Sequence, residues 1–192
     1  MKTFLNCVTI AGVLLSMFSC SREDMSKPED SQIIVIANCW SITFAVSNSD
    51  VVSIDWGDGT PKKEVPGLLD INYYAMYGHL YPDSIEYKIT LAGNIVALNC
   101  FIGNVTSLNL SKNPQLRTLI CSDKLLTSLD VSKNLALTYI DCRNNQLSAD
   151  ALNNFFYTLH SNPEYKVIYI KDNPGTSDCN LQIAMDKGWM IQ

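Results

Sequence analysis

Cys100, Cys121 and Cys142 stand 21 residues apart, and this equal spacing is the first pattern in the chain that could carry chemistry. A line of thiols can be a metal site, a set of disulfides or a buried column. Zinc needs ligands that converge on a tetrahedron, and no histidine accompanies these three. Disulfides between neighbouring parallel strands meet the distance window but fit the crossed dihedral badly. A free cysteine behaves as a small apolar residue, so a core ladder is the leading reading and the other two stay open. Cys39 and Cys179 could pair in an oxidising compartment.

The remaining reactive residue types form no catalytic pattern. Asp55 and Asp58 stand on either side of Gly57 and could bind calcium, but no D-x-D-x-D-G series follows, and a hairpin turn is the better reading. His79 and His160 are the only histidines. Neither accompanies a Ser or Cys nucleophile. His79 is expected to be structural, and His160 to end a helix, where a cation is mildly favourable. There is no G-x-S-x-G, P-loop or H-E-x-x-H, and nothing singles out a carboxylate pair for glycoside hydrolysis. The expectation is a protein that is not an enzyme, with no catalytic residues, cofactor or metal. A net charge of −5 without a basic stripe argues against nucleic acid as a partner.

The elements that would position these cysteines come from an internal repeat. Residues 105–125 and 126–146 match at eight of 21 positions, including Leu108/Leu129, Asn113/Asn134, Leu116/Leu137 and Cys121/Cys142. Chance would give about one or two. Each unit holds an L-x-L half, Leu108 to Asn113 and Leu129 to Asn134, and a Cys half, Leu119 to Cys121 and Ile140 to Cys142. Apolar residues two apart mark short strands with one buried face. A strand and a turn every 10 or 11 residues make a coil with two strand-like sides, and successive coils stack about 4.8 Å apart as parallel sheets. The Asn closing the L-x-L half suits the bend, where its amide satisfies exposed backbone groups.

This rhythm resembles the leucine-rich-repeat family, in particular the 21-residue repeats of bacterial surface lipoproteins. The resemblance covers about 95–150. Upstream, Leu98-Asn99-Cys100 continues the Cys half, and Ile89-Thr90-Leu91 through Asn94 the other half. The Asn position of the Cys half is Gly103, then Lys124, then Asn145, so the bends there should be less uniform. The fold class expected is mainly β: a short leucine-rich-repeat solenoid (93–147) between two caps.

Residues 32–92 are strand-rich. Trp56-Gly57-Asp58-Gly59, His79-Leu80-Tyr81 and Tyr87 to Leu91 stand in the order of a polycystic-kidney-disease-type (PKD) domain, an immunoglobulin-like sandwich. About 60 residues is short for a full sandwich, so a reduced PKD-like cap is expected, its last strand Glu86 to Leu91 leading straight into the first coil. The C-terminal cap (148–192) should be helix–strand–helix. Ser148 can cap a helix with Leu152, Phe155, Phe156 and Leu159 on one face. Val167 to Ile170 reads as a strand, a second helix should span about 180–187 and stop at Gly188, and Trp189 to Ile191 should fold back as a lid.

The first residues read as targeting. Lys2, the apolar run Val8 to Phe18 and the ending Met17-Phe18-Ser19-Cys20 suit a signal peptide, since the run is too short to cross a bilayer. The ending resembles a lipobox, which implies cleavage after residue 19, lipidation of Cys20 and a membrane partner through that anchor. Residues 20–31 then form a polar tether. Glu23 and Asp24 are similar to the acidic export signals of some surface lipoproteins. These readings imply the cell envelope, at the outer membrane and facing outward.

For a ligand, the L-x-L half shows bland residues, among them Ser107, Asn109, Ser128 and Asp130. The Cys half shows Phe101, Ile120, Tyr139, Asp141 and Arg143, with Tyr169 as an extension. Exposed aromatics with Arg are typical of interaction hot spots. This face is the expected binding surface for an unidentified protein or glycan. A structural or scaffolding lipoprotein of an outer-membrane complex is the alternative.

Overall fold

The computed structural model describes residues 31–48, 50–66 and 75–192. The expected signal peptide, Cys20 and the tether up to residue 30 lie outside the described residues. The chain is mainly β, in two sheets.

Eight strands make the first layers: β1 Gln32–Asn38, β2 Ser41–Asn48, β3 Val52–Asp55, β4 Lys63–Val65, β5 Ala75–Leu80, β6 Glu86–Ala92, β7 Ile95–Ile102 and β8 Val105–Lys112. Alternation explains them. In β1, Ile33, Val35 and Ala37 are fully buried while Ile34 and Ile36 are half-buried, as a pleat with one core face requires. One sheet runs β4-β3-β6-β1-β8, antiparallel throughout. The second begins β5-β2-β7, also antiparallel, and continues in parallel through β9 Thr118–Ile120, β10 Tyr139–Asp141, β11 Lys166–Tyr169 and β12 Trp189–Ile191.

The parallel part follows the repeat. Leu98, Leu119, Ile140, Ile168 and Ile191 stand opposite one another across five strands. Cys100, Cys121 and Cys142 line the same inward side two residues on, all buried and free. Burial pushes the Cys100 and Cys142 thiols up to about 12 and Cys121 well above its ordinary value. The core-ladder reading fits these thiols. Cys39 and Cys179 are also free, so their considered pairing is absent.

Four parts of the architecture differ from the sequence expectation. β6, read as both the last cap strand and the upstream L-x-L half, pairs antiparallel with β1 and β3 and belongs wholly to the sandwich. β7 and β8 start the repeat by sequence, yet they pair with β2 and β1 and complete both layers. The expected boundary at 92–93 therefore falls inside continuous sheets. A 60-residue β-unit is short of strands, and β7 and β8 supply its missing partners.

The L-x-L side builds no parallel sheet: Leu129 and Val131 are buried without forming a strand. Finally, Trp189–Ile191 is a fifth rung of the parallel ladder, not a lid.

The helix expectation matches. α1 spans Ala149–Thr158, Ser148 Oγ accepts the Ala151 amide at 3.2 Å, and Leu152, Phe155 and Phe156 are fully buried. Burial of each is worth about 2 kcal/mol. α2 is short, Gln182–Met185, and Gly188 turns the chain at φ 79°. His160 follows α1 instead of ending it. It is buried, hydrogen-bonded from Nε2 to the Leu137 carbonyl at 2.7 Å, and Nδ1 accepts the Asn162 amide.

Candidate functional site

The outer face of the seven-stranded sheet is built by pleat parity. With Leu98, Leu119 and Ile140 inward, their neighbours Asn99, Ile120 and Asp141 must point outward, opposite Tyr169 on β11. The same row runs into the sandwich through Ala45 and Met76. Ala97, Thr118, Tyr139, Val167 and Met190 form a second outward row. One continuous surface thus crosses the sandwich and the repeat.

Four of the expected residues converge on it. The Tyr139 and Tyr169 rings lie 5.5 Å apart, tilted by 41°. Arg143 Cζ lies 5.3 Å from the Tyr169 ring centre. Its Nε donates to Asp141 Oδ1 at 2.9 Å and its second nitrogen to Oδ2 at 2.6 Å, a bidentate fork. The Arg143 amide also donates to Oδ1, at 3.2 Å. This pairing raises the already high pKa of the guanidinium.

Asp141 departs from the expectation of a displayed ligand contact: its side chain is 5% exposed beneath Arg143, which is 46% exposed. Both carboxylate oxygens are occupied, so Asp141 positions Arg143 and leaves the outward contacts to it. Ile120, Tyr139 and Tyr169 are half-buried. Phe101 is 57% exposed at the far end of β7, two strands from Tyr139, and stands apart from the cluster.

The bends that hold this face carry an amide ladder. Asn145, 1% exposed, donates from Nδ2 to the carbonyls of Cys121, Cys142 and Arg143 and accepts the Leu126 amide at 3.0 Å. Asn173 repeats the arrangement one coil on, with Cys142, Ile170 and Leu147. Where the Cys half has Lys124, the buried lysine reaches the Phe101 carbonyl at 3.4 Å. Asp123, Asn144 and Asp172, each just before a ladder residue, take positive φ, the conformation these short polar side chains tolerate best.

Two features escaped the sequence reading. His79 Nε2 sits 2.6 Å from Asp58 Oδ2, its ring stacked on Trp56 at 4.9 Å and edge-on to Tyr81 at 4.7 Å. Burial pushes the Asp58 carboxyl up, but hydrogen bonds from the Thr60 hydroxyl and amide and from His79 outweigh it and hold it at about 2. Trp56-Gly57-Asp58 and His79 were conspicuous in sequence, but nothing there joined two residues 21 apart. The pair ties the turn after β3 to β5. The second feature is a cleft beside β8.

Compared with family models, curated proteins and solved structures, the chain gives no match.

Proposed function

We propose that the chain is a lipid-anchored recognition module of the cell envelope, held at the outer membrane through Cys20 and facing outward. Its scaffold is a short leucine-rich-repeat solenoid with a PKD-like β-region before it and a helical cap after it. It binds a protein or glycan ligand through the outer face of the seven-stranded sheet.

The observation that carries this reading is the Tyr139–Asp141–Arg143–Tyr169 cluster. Parallel strands are ordinarily covered on both faces, yet here tyrosines and a forked arginine face outward. Tyrosine offers a large amphipathic surface at low entropic cost, and an arginine already held by Asp141 loses little freedom on binding.

The test is whole-cell protease shaving, then protein and glycan arrays probed with wild type and with a Tyr139→Ala, Ile120→Ser double variant. Expected are surface cleavage and a ligand whose binding the double variant loses. Equal binding by the variant would refute the face, and a chain protected from protease on intact cells would refute outward display.

One observation favours a second reading, a scaffolding lipoprotein. Leu181, Met185 and Met190 are 39%, 54% and 46% exposed beside the open edge of β12, a surface that suits a permanent neighbour. A partner recovered from membranes, with no hit on either array, would favour it.

A further inference from the structure

Between β8 and the next turn of the chain the ladder parts. Leu125 donates to the Val105 carbonyl at 2.9 Å at one end, and Asn134 Nδ2 donates to the carbonyls of Leu110 and Asn113 at 3.0 and 2.7 Å at the other. No backbone bond joins the stretches between these pins. The result is a cleft of about 310 Å³, lined by Leu108, Asn109 and Ser111 on the β8 wall and Asp130, Ser132 and Lys133 opposite. Small-molecule sites start at about this size.

The repeat brings equivalent residues to the same cleft: Asn109 and Ser111 from β8, Asp130 and Ser132 from the next unit, each pair 21 apart. Asn109 Oδ1 accepts the Ser111 amide and Asp130 Oδ1 accepts the Ser132 amide, at 3.1 and 2.8 Å. Both side chains are thereby pinned. Asn109 keeps two amide N–H donors, and Asp130 keeps a carboxylate oxygen, with no protein partner among the described residues. Asp130 and Lys133 share the cleft without pairing with each other. Leu108, half-buried, adds an apolar wall.

We infer that this cleft is a second binding site, distinct from the tyrosine face, for a single pyranose sugar residue. A pyranose presents neighbouring hydroxyls that both donate and accept, which matches an amide donor, a lysine donor and a carboxylate acceptor held on facing walls. Its C–H face matches Leu108. The pinned ends favour a compact ring over an extended peptide, which would need a slot open along β8.

The test is saturation-transfer NMR on the full chain in a sugar-free detergent, with glucose, galactose, mannose and N-acetylglucosamine each at about 10 mM, ten times a millimolar dissociation constant. At least one sugar should bind. Asp130→Asn, which keeps the turn but removes the charge, should weaken it about tenfold, and Ser132→Trp should block it. Leu80→Ala, at an exposed residue on the far edge strand β5, should leave it unchanged. Absence of binding by all four sugars would overturn the inference. So would binding that Asp130→Asn and Ser132→Trp leave intact.

Discussion

Replacing Asn145 by Ala should be among the most damaging single changes in the repeat, and its size follows from the hydrogen bonds. Nδ2 has two hydrogens, so it serves at most two of its three carbonyls well at once, and Oδ1 serves the Leu126 amide. Cys121 O and the Leu126 amide are left without a partner, while Cys142 O keeps Asn173 Nδ2 and Arg143 O keeps the Asp123 amide. Each of the two orphans costs about 1–3 kcal/mol, and water entering the vacated space recovers part, which leaves about 3 kcal/mol. Lys124→Ala removes one long bond of 3.4 Å at the equivalent bend and should cost about 1 kcal/mol. Urea titration followed by tryptophan fluorescence reads both, because Trp56 and Trp189 are 5% and 2% exposed, one in the sandwich and one in the C-terminal cap. With a slope of about 2 kcal/mol per molar urea, the midpoints should fall by about 1.5 M and 0.5 M. Asn145 also holds the carbonyl of Arg143, so its loss should loosen the proposed binding face. Equal midpoint shifts for the two variants, or a loss under about 1 kcal/mol for Asn145→Ala, would refute the ladder argument.

Three further outcomes are expected. Asp58 sits at about 2 in the fold against an ordinary 3.8, so it contributes at most about 2 kcal/mol. That contribution is fully present above about pH 4 and lost as pH falls toward 2. The stability gap between wild type and Asp58→Asn should close over that window, and a gap independent of pH would contradict it. Cys100, Cys121 and Cys142 should resist iodoacetamide at pH 8 in the native protein and react in denaturant, with Cys179 reacting first; peptide mapping by mass spectrometry reads the order. Gly175→Ala would drive a Cβ into the backbone of Ser148 and Ala149 at the start of α1. A cost of about 2 kcal/mol should lower the melting temperature by about 4–8 °C, and an unchanged melting curve would mean the cap is not clamped there.

Which side chains face inward was legible in the sequence, because pleat alternation and helix periodicity are local properties. The 21-residue spacing put Leu98, Leu119 and Ile140 in one column and the cysteines in the next. The same parity placed Tyr139, Arg143 and Tyr169 outward, and Ser148 with Leu152, Phe155 and Phe156 marked the closing helix. The bend asparagines were legible too, since a buried Asn needs backbone partners. Asp141 was placed on the right face but not beneath Arg143, because the depth of a side chain depends on what folds over it.

Strand partners were not legible. Residues 105–112 carry the repeat's own L-x-L pattern, and by sequence alone they belong beside 126–133. In the fold they pair antiparallel with β1, because a sandwich of some 60 residues leaves an edge that competes for the same strand. That choice opens the cleft beside β8, while β7, paired with β2 on one side and β9 on the other, carries the outer face of the seven-stranded sheet across both halves of the molecule. The Asp58–His79 pair has the same origin. Periodicity tells a residue which way to point, whereas contact between distant segments is settled by which open edges remain when the layers close.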